Sequence, residues 1–191
     1  MLTGQCKSHA RMPAVWLMTD ERVAEVDLMR AIRRLPRGSA VVFRHYRLSS
    51  GDRRALFGRV RKECARRGCR LLLAGTPGQA RAWGADGHHG YDPARRGKPW
   101  LHSAPVHDQA QLRRALRARA DVVLVSPLFA TRSHPGTRPL GPYRFAALAR
   151  SAPVCVIALG GVRPRHARLV GQLGADGFAA IDGLLPVRRP T

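Results

Sequence analysis

Hydrophobic and polar positions along this chain are grouped in blocks with two different periods. AVWLMTD opens an apolar run over 14–20 that reads as a buried strand. Over 21–34, Val23, Val26, Leu28, Ala31 and Ile32 recur at helical spacing, and Pro36-Arg37-Gly38 ends that helix. AVVFRHY at 40–46 is a second strand. Ser49 to Asp52 then begins a helix through Arg67, with Leu56, Val60 and Cys64 on one face and Gly68 as its stop. RLLLAG at 70–75 predicts a third strand, followed by a short helix over 77–83 and a weak fourth strand near 86–89. The Gly/Pro-bounded polar segment 90–98 reads as a loop. A fifth strand at 98–104 and a helix at 108–119 follow. Strands at 121–126, 154–159 and 177–182 alternate with helices at 141–150 and 164–172, and a long loop precedes Pro139.

The apolar runs are nearly continuous, as parallel strands buried on both faces require. Helix-length segments separate most of them. The pattern predicts a compact (β/α)8 TIM barrel, because eight strand candidates alternate with helices and the last ones end in residues suited to ligands. Too few residues follow Asp182 for a full eighth helix, so the barrel closes with a truncated last helix. Residues 1–12 read as a flexible tail and 13–191 as a single domain. At 191 residues the chain is short against the ~250 usual for this architecture.

Composition narrows the setting. Hydrophobic residues make up 45% of the chain, which fits a globular protein. No apolar stretch approaches the ~18 residues of a membrane span, and MLTGQCKSHARMP lacks the apolar core of a signal peptide. The expectation is a cytoplasmic protein. The formal charge of +22 is carried almost wholly by arginine, since lysine occurs only at Lys7, Lys62 and Lys98. The arginines spread along the predicted helices, as in Arg113-Arg114 and Arg117, where they keep an outer face wet. With few aromatics interleaved, the pattern does not favour a nucleic-acid partner. Cys155 inside an apolar strand reads as a buried thiol, Cys6 lies in the tail, and neither zinc spacing nor a disulfide framework is expected.

Candidate chemistry gathers at the ends of the last strands. Gly160-Gly161 follows an apolar run and precedes a helix, so the backbone can approach an anion and present its N–H groups. Asp182-Gly183 forms a second turn after the eighth strand, and barrels often hold a phosphate between these two loops. Ser126 ends the sixth strand. It opens the long loop SPLFATRSHPGTRPLG, where Thr131 and Ser133 offer hydroxyls and His134 a titratable charge. His107 precedes Asp108, which is placed to cap the next helix.

VWLMTD, FRHYRLS, GADGHHG, the Val106-His107-Asp108 step, SPLFATRSHPG, IALGGV and GADGFAAIDGL together resemble the thiamine-phosphate synthase/TenI family, closer to a divergent TenI-like member. The resemblance spans nearly all of 14–185 and is most specific in the last sixty or so residues. It implies a barrel that binds a small phosphorylated thiazole. The phosphate would lie on Gly160, Gly161, Asp182, Gly183, Thr131 and Ser133, with Arg44, His89, Ser126 and His134 lining the pocket. His134 stands where the family carries a Lys, and Asp182 where it carries a Ser.

The resemblance also implies that His107 is the acid/base group of thiazole tautomerisation, a proton shift that needs no metal, although Pro105 replaces the usual Ser. The synthase reaction would instead need magnesium for a departing pyrophosphate. The family's carboxylate and amide after strand three are Gly75-Thr76 here, which leaves Asp92 as the one candidate ligand. The expectation is therefore no cofactor and no metal, with magnesium at Asp92 only under the synthase alternative. A catalytically degenerate phosphate-binding barrel is the third reading. A homodimer is left open.

Overall fold

The computed structural model describes residues 12–93, 100–131, 136 and 138–185. Eight parallel strands close in sequence order: β1 (Val15–Met18), β2 (Ala40–Phe43), β3 (Arg70–Ala74), β4 (Gly87–His89), β5 (Leu101–Val106), β6 (Val122–Val125), β7 (Cys155–Ala158) and β8 (Gly177–Ala180). β1 pairs with β8 through Val15↔Phe178, Trp16↔Ala179 and Leu17↔Ala180. The helices are α1 (Glu25–Arg34), α2 (Ser50–Arg67), α3 (Pro77–Ala82), α4 (Gln109–Arg117), α5 (Gly141–Arg150) and α6 (Ala167–Gln172). A single 3-10 turn, Asp182–Leu184, stands where an eighth helix would begin. The closed, compact (β/α)8 barrel read from the sequence is therefore the observed fold.

Alternation along the strands explains the core. Trp16, Met18, Val42, Leu72, Leu101, Val122, Leu124 and Ile157 fill the barrel interior. The intervening residues, such as Leu17, Val41, Leu71, Val123 and Val156, pack outward against the helices. Trp16 is fully buried, and its indole N–H donates to Pro13 O at 2.6 Å. It sits in register with Ala40 and Ala179, so the small side chains make room for the large one. Cys155 also belongs to this interior, buried within β7 as expected from its apolar strand. The free cysteines among the described residues are Cys64 and Cys69, both buried.

One device repeats at the amino ends of β4, β6 and β8. Each preceding helix ends in a Schellman cap with a left-handed residue: Gly84 (φ 72°), Arg119 (φ 60°) and Gly174 (φ 93°). The N–H of the alanine that follows reaches back to the helix at Ala80 O, Ala115 O and Val170 O. An aspartate comes next in all three. Its backbone N–H bonds the preceding strand, and its carboxylate accepts from that strand's N–H. Asp86 holds Leu71 N at 2.7 Å, Asp121 holds His102 N at 2.9 Å, and Asp176 holds Val156 N at 2.8 Å. The sequence motif x-Ala-Asp is thus a strand-entry clasp that satisfies orphan groups at the closed end of the barrel.

Three boundaries depart from the periodic reading. The first helix starts at Glu25, not Glu21, because Asp20 accepts from the backbone N–H of Arg22 and holds 20–23 as a turn. β2 stops at Phe43, since His45 takes a left-handed conformation (φ 39°). β5 runs over Leu101–Val106, two residues beyond the expected end. Pro105 is accommodated in register with Leu124, and His107 sits at the mouth of the barrel.

Candidate functional site

A cavity of about 530 Å³ opens at the carboxyl ends of the strands. Gly160, Gly161, Val162 and Arg163 after β7 line it together with Ile181, Asp182 and Gly183 after β8. Ser126, Pro127, Ala130 and Thr131 after β6, His107 after β5 and Arg44 after β2 complete the wall. The two glycine turns expected to share a ligand therefore do face one space.

Gly160 and Gly161 have φ of 94° and 66°. A Cβ at Gly160 would lie 2.7 Å from Pro127 Cα, and one at Gly161 would lie 2.5 Å from Ala130 O. The loop after β6 leans on this turn through Leu128 N→Leu159 O (2.9 Å) and Phe129 N→Gly160 O (3.0 Å). Among the described residues, the N–H groups of Gly160, Gly161 and Gly183 donate to no protein acceptor. They belong to residues that line the same cavity, where such donors suit an anion.

His107 stands opposite. Its ring Nδ1 lies 2.7 Å from Ser126 O and 3.2 Å from Ser126 Oγ. A carbonyl oxygen only accepts, so Nδ1 carries the proton and the neutral ring keeps its lone pair on Nε2. The backbone N–H of His107 donates to Gln111 Oε1 at 3.0 Å, and Asp108 caps α4 through Gln111 N at 2.7 Å. The capping role foreseen for Asp108 and the placement of His107 in the cavity thus hold together.

Arg44 lines this cavity and a second one of about 550 Å³ over the ends of β1 and β2. Its guanidinium is spent inward: Nε donates to Thr19 O at 2.7 Å and Nη2 to Asp20 Oδ2 at 3.0 Å. Burial lowers its pKa against the pull of Asp20. Burial would raise the Asp20 carboxyl, but hydrogen bonds and charge from Arg22, with Arg44 behind, hold it below its ordinary value. Asp182 lines the first cavity and lies within the field of Arg22.

Other expected residues are placed differently. His89 points into the barrel, buried, with Nδ1 2.9 Å from Ser103 Oγ, and does not line the cavity. Burial pushes its pKa down to about 3, so it is a neutral interior group. Its position on β4 put it inside because Gly87 and His89 share the inward phase with Leu72 and Ala74. Ser133 and His134 lie outside the described residues. Arg163 was not singled out in the sequence. It lines the cavity with an exposed side chain, and its signal was a cation directly after the Gly160-Gly161-Val162 turn.

Among the described residues, the groups around the end of β3 offer magnesium few oxygen ligands. At the end of β3, Ala74 O accepts from Arg53 Nη2 at 2.7 Å, and Thr76 spends its hydroxyl capping α3 through Gln79 N. Arg53 also donates from Nε to Arg44 O and sits against Phe43, Tyr46 and Trp83, so a guanidinium already occupies the carbonyls of this corner. The Asp20 carboxylate is engaged by two arginines, and Asp92 lines neither cavity. Among the described residues, no group of three His, Cys, Asp or Glu side chains could hold a metal.

The thiamine monophosphate synthase family description matches residues 15–184, from the first strand to the turn after the last. The chain belongs to that family. It is 31% identical over 159 residues to the thiamine biosynthesis bifunctional protein ThiM/ThiE of Symbiobacterium thermophilum, covering 78% of this chain and 33% of that protein. The chain thus spans about a third of the bifunctional relative's length. It is 27% identical over 184 residues to the thiamine-phosphate synthase of Syntrophomonas wolfei, covering 90% of this chain and 88% of that one. The solved thiamine phosphate pyrophosphorylase of Pyrococcus furiosus superposes with a TM-score of 0.70 at 19% identity, covering 87% and 84% of the two chains, which supports the shared fold. Membership places this thiamine monophosphate synthase-family chain in thiamine biosynthesis. No helix among the described residues is long and apolar enough to cross a membrane.

Proposed function

We propose that this barrel binds a thiazole phosphate and catalyses a metal-independent tautomerisation of its ring. One observation carries the reading: His107 and the amides of Gly160, Gly161 and Gly183 line a single cavity, while the end of β3 offers no carboxylate. The phosphate lies on the glycine amides, and the ring extends toward His107. Because Ser126 O holds the proton on Nδ1, Nε2 is the base. It takes a proton from the ring and returns it at a second position, so the aromatic isomer forms with no net change in charge or oxidation state. Leu159, Val162 and Ile181 supply the apolar wall that keeps water from competing for the proton.

The test is direct. Purified protein is mixed with the non-aromatic thiazole carboxylate phosphate tautomer, and aromatisation is followed by ultraviolet absorbance. Acceleration over buffer, unaffected by EDTA and lost by ~100-fold or more in His107→Gln, is expected. No acceleration, or full activity in His107→Gln, rejects the mechanism.

The names of the relatives favour a second reading, thiamine-phosphate synthase. It predicts magnesium-dependent formation of thiamine phosphate from the pyrimidine pyrophosphate and the thiazole phosphate. The pairing of Asp20 with Arg22 and Arg44 counts against it.

A further inference from the structure

We propose that Arg163 is the charge-bearing anchor for the ligand's phosphoryl group, and that it makes this protein select a doubly ionised phosphate monoester over the alcohol of the same ring. The inference rests on the proposed reading that the cavity takes a phosphorylated thiazole. Backbone amides alone are partial charges, and a dianion needs a full one to offset its lost hydration.

The formal charges that line the cavity are few. Arg44 has two of its guanidinium nitrogens committed to Thr19 O and Asp20. His107 spends its Nδ1 proton on Ser126 O. Asp182 is an acidic side chain and brings no cation to the cavity. Arg163 differs from all three. It lines the cavity, its side chain is exposed, and it takes part in no ion pair among the described residues.

Its place in the chain serves the role. Arg163 follows directly on Gly160, Gly161 and Val162, so the guanidinium starts from the turn that carries the amide donors. Its own backbone N–H is held by His166 Nδ1 at 3.2 Å, which fixes the root of the side chain. A planar fork of donors matches two phosphate oxygens at once, which an ammonium does not.

The experiment is calorimetry on the intact chain, wild type against Arg163→Gln and Arg163→Lys, with thiazole phosphate, the dephosphorylated thiazole alcohol and inorganic phosphate as probes. Arg163→Gln is expected to weaken thiazole phosphate by about 10- to 100-fold, the range of a lost charged hydrogen bond. It should leave the alcohol within about 2-fold, and Arg163→Lys should fall between. Wild-type affinity should also drop as the pH falls through the second phosphate ionisation near ~6, and the drop should flatten in Arg163→Gln. Equal binding of thiazole phosphate by wild type and Arg163→Gln overturns the anchor and leaves the proposed function standing. If the wild type binds neither thiazole compound but takes inorganic phosphate in an Arg163-dependent way, the ring reading fails and the anchor stands. Failure with all three probes overturns both.

Discussion

Replacing Arg119 by glycine should make the protein more stable, although it deletes a side chain and inserts the most flexible residue. Arg119 is the left-handed residue of the cap between α4 and β6, at φ 60°. The two equivalent positions, Gly84 and Gly174, are already glycine. A residue with a Cβ pays roughly 1–2 kcal/mol in this conformation. Glycine returns about 0.4–1 kcal/mol of that through the entropy of its unfolded chain. The net gain is about 0.5–1 kcal/mol, or roughly 1–4 °C in Tm for a domain of this size. Charge confounds the comparison, because removing any arginine from a chain of formal charge +22 relieves self-repulsion. Alanine at the same position removes the charge and keeps the strain, so the decisive quantity is the difference between Arg119→Gly and Arg119→Ala in urea unfolding. The same pair at Arg113, exposed within α4, is the control. Alanine should win there by about 1 kcal/mol, and glycine should win at 119. If glycine is as costly at 119 as at 113, the cap does not impose a left-handed residue and the account of the clasp is wrong.

Asp176→Ala should destabilise by about 1–3 kcal/mol, because Val156 N would be left unsatisfied at the closed end of the barrel; a change within 0.5 kcal/mol in the denaturation midpoint would contradict this. Gly161→Ala should cost about 2–5 kcal/mol from left-handed strain and overpacking against Ala130 O. It should also abolish binding of thiazole phosphate, and a stable variant with normal affinity would refute the turn's role. Stability should fall as the pH drops below about 6.5. Burial, with the charge of His102, holds His88 at about 4, and burial holds His89 at about 3. The unfolded chain therefore binds more protons in this window. Each ring that stays neutral while its unfolded form charges contributes a slope of up to ~1.4 kcal/mol per pH unit. A urea midpoint flat between pH 7 and 4.5 would show that these imidazoles are not buried neutral.

The order of elements was legible in the chain because strand and helix periods are local properties. An apolar run of four to six residues followed by a helical stripe can be recognised without knowing what it packs against. Even the x-Ala-Asp clasp and the Gly160-Gly161 turn are visible as words. What they do was decided by contacts between distant residues. The two glycines are required by the backbone of 127–130 pressing on them, as much as by any ligand. His89 and His107 look alike as histidines at strand ends. The inward phase of β4 sealed one into the barrel, and the two-residue extension of β5 carried the other to the mouth. Arg163 looked like one more solvated arginine among many until barrel closure brought its turn beside that of Asp182-Gly183. Periodicity specifies which residues form a strand. Register and closure specify which side chains share a cavity, because only the folded ring brings the ends of β2, β5, β6, β7 and β8 within reach of one ligand.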